Sequence, residues 1–190
     1  MIQYTIGELE NILKVKFPES FHKIYDTGAM DWLTRDDAEI STDSFFYNLD
    51  WDFNMLKFSE IPKTMEYLYR NLDAERLMFK LVPFAETANK DIYCFAYDGD
   101  NEPFIVCIDT DNAEDAEFSA EDFGNLIFQR LALAITDLVT DEEDIAKINS
   151  HIKYLPIEYQ QMFIEQDIEK IEDAFSEYDV LRIIDIYKNK

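Results

Sequence analysis

Residues 81–100 read LVPFAETANKDIYCFAYDGD. An apolar run, Leu81-Val82-Pro83-Phe84-Ala85, gives way to Thr87-Ala88-Asn89-Lys90-Asp91. A second run, Ile92 to Tyr97, ends at Asp98-Gly99-Asp100. Short runs rich in β-branched and aromatic residues, bounded by turn formers, read as strands. The stretch is therefore a hairpin. A third run of the same kind, Phe104 to Ile108, extends it to an antiparallel meander. Acids stand at both ends of the hairpin, and no Lys, Arg or His follows Lys90 until Arg130.

That local pattern reflects the whole chain. Its 190 residues carry 17 Lys and Arg against 41 Asp and Glu, a formal net charge of −24. Asp91 to Gln129 holds eleven acids, and Asp36 to Leu56 six more, with no Lys, Arg or His in either window. A field of this sign repels the phosphates of nucleic acid and anionic membrane surfaces, so neither is an expected partner. It attracts a basic protein and speeds its capture. Acid-rich surfaces also serve solubility alone, so charge by itself leaves both readings open.

The composition, 47% hydrophobic and 15% aromatic, allows one packed core or a core with a small appendage. No apolar run approaches the ~20 residues of a spanning helix. The opening MIQYTIGELENIL lacks the features of a signal peptide. Cys94 and Cys107 sit inside apolar runs, as buried free thiols of a reducing compartment would. The expected location is the cytoplasm.

Outside the meander the periodicity is helical. Thr5-x-x-Glu8 is a capping-box pattern followed by Ile6, Leu9, Ile12 and Leu13 at helical spacing. Pro18 opens a second helix at its first position, with Gly28 just past its end. Trp32 and Leu33 follow in a turn region. Ser44 to Phe58 reads as one or two short strands, and Ile61-Pro62 begins a third helix. Ser119 is read as the cap of a long helix with Asp122 at its third position, carrying Phe123, Ile127, Leu131, Ile135 and Leu138. Gly124 inside that helix costs about 1 kcal/mol against Ala. From Thr140 the pattern is helical only, closing with a stripe of Val180, Leu181, Ile184 and Tyr187.

This order of elements resembles the SUKH superfamily, the domain of a fungal regulator of cell-wall glucan synthesis and of many bacterial immunity proteins that neutralise polymorphic toxins. The resemblance rests on Ile6 to Ala29, on Leu56 to Ile61, on Leu81 to Ala85 with Asp91 to Phe95, and on Phe118 to Phe123. It covers residues 6 to about 138. The family's glycine-rich turn is replaced by Thr87-Ala88-Asn89-Lys90-Asp91, where Asn89 is a candidate for positive φ. An aspartate usual after the second strand is Ala96, with Asp98 and Asp100 further on.

The resemblance implies an α+β fold, a mainly antiparallel sheet surrounded by helices. Residues 1–139 would form the SUKH-like domain and 140–190 a C-terminal helical extension packed on it. It further implies an immunity protein that binds a cognate toxin domain, basic and of the nuclease kind. The alternative is a non-enzymatic regulatory scaffold binding several host proteins. The expected partner-binding residues, chosen by charge density, are Asp36, Asp37, Asp50, Trp51, Asp52, Asp98, Asp100, Glu102, Asp109 and Asp111. Trp51 between two acids is the candidate aromatic anchor; Trp32, Tyr47 and Phe53 read more simply as core.

Chemistry is not signalled. Asp98-x-Asp100-x-Glu102 and Asp109-x-Asp111 open like calcium loops, but position six is Pro103 or Glu114 where Gly is needed, and position twelve is Asp109 or Ala120 where Glu is needed. His22 and His151 form no HExxH or Cys/His cluster, and there is no GxSxG, P-loop or GxGxxG. The expectation is no enzyme, no metal and no cofactor.

Overall fold

The computed structural model describes residues 4–35, 44–46, 53–99, 101–110, 116–138, 142–165, 167–176 and 182–187. Helix α1 (Ile6–Leu13) starts at the Thr5–Glu8 capping box and stops at Lys14 in the left-handed region, φ 53°. Pro18 is the N-cap of α2 (Glu19–Asp26) rather than its first residue, and Gly28 at φ 80° lets the chain turn away. Trp32 and Leu33 lie on a short helix, α3 (Asp31–Thr34), both buried. Strand β1 (Asn54–Met55) precedes α4 (Ile61–Asn71), which has Pro62 in its first turn.

The meander forms as its sequence indicates: β2 (Lys80–Glu86), β3 (Ile92–Tyr97) and β4 (Phe104–Ile108). The turn between β2 and β3 works without glycine. Thr87 Oγ1 accepts from the N–H of Asn89 and of Asp91, and the positive φ falls on Lys90 (75°), not on Asn89. Pro83 sits where the β2–β3 register shifts, at a bulge that spares a ladder N–H. The shift turns both Phe84 and Ala85 toward the same core.

Two elements differ from the sequence reading. Ala116–Ala120 is a strand, β5, paired antiparallel with β4, so Ser119 belongs to the sheet rather than capping a helix. The cap is Asp122, whose Oδ1 accepts from Asn125 N at 2.9 Å, and α5 runs over Phe123–Leu133 before a π-helical turn, Ala134–Leu138. The last stripe is not a helix either. Arg182–Ile184 pairs with β5 as β6, because an open sheet edge offers backbone partners that an isolated last turn lacks. The sheet order is β1-β2-β3-β4-β5-β6, antiparallel throughout.

Each sheet face has its own core. The larger holds Val82, Phe84, Phe95 and Ile105 against α1, α2 and α5. Phe84 stacks on Phe95 at 4.1 Å, and Phe21 and Phe123 meet Phe95 at 5.8 and 5.6 Å. Such aromatic pairs contribute about 1 kcal/mol each beyond their buried area. The helices α6 (Glu142–His151), α7 (Ile157–Glu165) and α8 (Ile168–Ser176) add Ile148, Phe163 and Ile171 to this same cluster. The smaller core joins Leu81, Cys94, Val106 and Ile108 to Leu68 of α4, to Leu72 just past its end and to Ile186 beyond β6.

Candidate partner-binding surface

The β3–β4 turn is built on Gly99, whose φ of 63° favours glycine. Asn101 ties the turn back, its side-chain Nδ2 donating to Asp98 O at 3.1 Å. Asp98 and Glu102 are exposed on the two sides of this turn. Asp109 is also exposed, but it follows β4 at the other end of the hairpin. At ~3.3 Å per strand residue that is about 20 Å from Glu102. The fold therefore brings Asp98 and Glu102 together and sets Asp109 apart. Asp36, Asp37, Asp50, Trp51, Asp52, Asp100 and Asp111 lie outside the described residues. Trp32 and Phe53 are buried, Trp32 donating its indole N–H to Phe45 O at 3.1 Å.

Two clefts flank the turn. One, of about 750 Å³, lies between the end of α1 and the turn; the other, of about 680 Å³, lies between the start of α2 and residues 153–156. Glu102 and Pro103 line both. Glu102 is thus an acid of the expected set that lines both clefts.

A buried carboxylate shapes the first cleft. Glu10 Oε1 accepts from Phe17 N at 2.9 Å and lies 2.7 Å from His22 Nε2, while Oε2 accepts from Lys16 Nζ at 2.7 Å. Burial pushes its pKa up, but the bonds from Lys16, Phe17 and His22 together outweigh this and leave it lowered. His22, which belongs to no metal or catalytic motif in the sequence, is a clamp between α1 and α2. Nearby, Tyr97 donates its hydroxyl proton to Lys16 O at 2.8 Å. Burial, with the charges of Glu10 and Glu102 behind it, raises the Tyr97 pKa and keeps the phenol neutral.

The second histidine is also structural. His151 is buried; its Nε2 accepts from Phe46 N at 3.0 Å, and its Nδ1 lies 2.8 Å from Lys147 O. Accepting at Nε2 requires that nitrogen to be bare, so the proton sits on Nδ1. The ring packs between Phe45, Phe46 and Tyr154, with centroids 5.8, 5.6 and 6.1 Å away. His151 thereby pins Phe46, inside the second acidic window, to α6. A lone histidine in the sequence carries no signal for such a contact.

The Glu10–His22 pair would be half of a nucleophile-activating system, yet no hydrogen bond joins His22 to a Ser, Thr or Cys among the described residues. Cys94 and Cys107 pack in different cores on opposite faces of the sheet. Burial raises the Cys94 pKa, which disfavours the reactive thiolate. Among the described residues no three His, Cys, Asp or Glu gather as metal ligands, and no helix is long and apolar enough to cross a membrane.

A six-stranded antiparallel sheet with helices on both faces and a helical extension makes this an α+β fold. The chain belongs to the SMI1/KNR4 family (SUKH-1), whose model matches residues 4–129. No curated protein and no solved structure matches the chain. The family is one of non-catalytic proteins in toxin-immunity and regulatory-scaffold roles, and the chain is a binding protein rather than an enzyme.

Proposed function

We propose that this chain is a cytoplasmic bacterial immunity protein that binds a cognate toxin domain and covers its active site. Its acidic surface would face a basic toxin surface of the kind that grips nucleic acid. The observation that carries this reading is the charge: −24 over 190 residues, concentrated in two windows free of Lys, Arg and His. Such a surface competes with phosphates for a cationic site and steers association. Within it, Asp98, Asp100 and Glu102 are the acids that engage the partner first, with Asp36, Asp37, Asp50, Trp51, Asp52, Asp109 and Asp111 contributing further contacts. The scaffold reading shares the same family support but gives the charge concentration no task.

The test begins with the reading frame immediately upstream. A large secreted protein ending in a basic domain supplies the partner. That domain, purified, should be captured with an on-rate that falls steeply with salt. Changing Asp98, Asp100, Glu102 and Asp109 to Lys should slow capture about tenfold or more at low salt. A partner of acidic surface, or binding indifferent to salt, would overturn the proposal.

A further inference from the structure

The cleft between the end of α1 and the β3–β4 turn brings together two lysines that meet no carboxylate among the described residues. Lys14 and Lys80 both line it. Lys80 Nζ donates to Leu13 O at 2.5 Å and Lys14 O at 3.2 Å, so its bonds go to backbone carbonyls at the end of α1. Among the described residues neither lysine meets a carboxylate, although Lys16, Lys23, Lys90 and Lys170 each pair with one. Burial, and then the neighbouring charge of Lys14, lowers the Lys80 pKa. An anion placed between the two ammonium groups relieves that repulsion.

The rest of the cleft sets the form of the anion. Phe17, Tyr97 and Pro103, all buried, and half-buried Val15 make part of its lining apolar. Its volume of about 750 Å³ suits a small ligand or the end of a chain. Glu102 faces the same space and Glu10 forms part of the wall, so a phosphate dianion meets more repulsion than a single carboxylate. We propose that this cleft binds a monocarboxylate on an apolar stem, the carboxylate between Lys14 and Lys80 and the stem against Phe17, Tyr97 and Pro103. A free organic acid and the C-terminal residue of a peptide share that chemistry.

The experiment titrates the full-length, 15N-labelled chain with octanoate, with N-acetyl-alanyl-leucine, with the amide of that dipeptide, and with inorganic phosphate. Either acid should shift the backbone amides of Val15, Gly99 and Asn101, and the dipeptide amide should not. Tighter binding of octanoate identifies a free small molecule as the ligand class; tighter binding of the dipeptide acid identifies a chain end. Lys14→Gln, an exposed change, should weaken binding about fivefold. Lys63→Gln, an exposed lysine on α4, should leave it unchanged. Equal shifts with the dipeptide amide overturn the proposal, as do phosphate binding as tightly as the acids, indifference to Lys14→Gln, or no local shift with either acid up to about 10 mM.

Discussion

Replacing Gly124 with Ala separates two opposing effects that the structure allows to be weighed. On an isolated helix the change is favourable by about 1 kcal/mol. Here a Cβ at position 124 would lie 2.9 Å from Pro156 Cγ and 3.1 Å from Asp122 Oδ1. Pro156 belongs to the turn leading into α7, a stiff ring on a packed segment, and its Cδ is also close at 3.4 Å. Overpacking of this kind costs about 1–3 kcal/mol. Pushing Asp122 aside also endangers its bond to Asn125 N, an N-cap contribution of about 1 kcal/mol. The balance is a net loss of about 1–2 kcal/mol, or roughly 2–8 °C in Tm for a chain of this size. Urea unfolding of the two single variants and the double variant measures it. Gly124→Ala should destabilise the native chain, yet be about neutral in a Pro156→Ala background, where helix propensity is offset only by the Asp122 contact. If Gly124→Ala were neutral or stabilising in both backgrounds, the close packing of residues 153–156 on the start of α5 would be wrong.

Three further outcomes test other parts of the molecule. The Glu10 pKa is lowered on folding, so its contribution is complete above about pH 4.5 and is lost as pH falls through the lower folded value; Glu10→Gln should flatten that acid limb and cost about 1.5–3 kcal/mol near neutrality, and an unchanged difference between the two proteins from pH 7 to 3 would refute the clamp. His151→Leu should leave the Phe46 N–H without its acceptor and cost about 1–3 kcal/mol; hydrogen exchange reads it directly, since the Phe46 amide should lose protection, and retained protection would refute the contact. Ile186→Ala should cost about 2–4 kcal/mol, because Ile186 is fully buried in the smaller core; a loss under about 0.5 kcal/mol in denaturant titration would detach the chain end from that core.

Local signals in the chain were sufficient wherever the physics is local. A Thr–Glu capping box stops and starts hydrogen bonds within one turn, and Pro62 pre-sets its own φ, so α1 and α4 are legible from their residues. Strands β2 to β4 are legible because apolar runs alternate with turn formers over short distances. Strand β5 is not. Its residues, Ala-Glu-Phe-Ser-Ala, have little strand propensity, and they are extended because β4 offers a ladder to them. Strand β6 is the same case at greater distance: the periodicity of residues 180–187 suits a helix, and the edge of β5 decides otherwise.

The candidate site divides along the same line. Net charge, its crowding into two windows, and the absence of catalytic motifs are properties of composition, and the sequence by itself determined them. Which acids stand together, that Glu102 lines concave surface while Asp109 lies at the far end of the hairpin, and that two lysines of one cleft pair with no carboxylate among the described residues, only the tertiary structure decided. The same holds for His22 on Glu10 and His151 on Phe46, contacts spanning 12 and 105 residues of chain. The physical reason is range: capping, turn formation and net charge are sums over neighbours along the chain, whereas clefts and buried hydrogen bonds exist only after distant segments have been brought into contact.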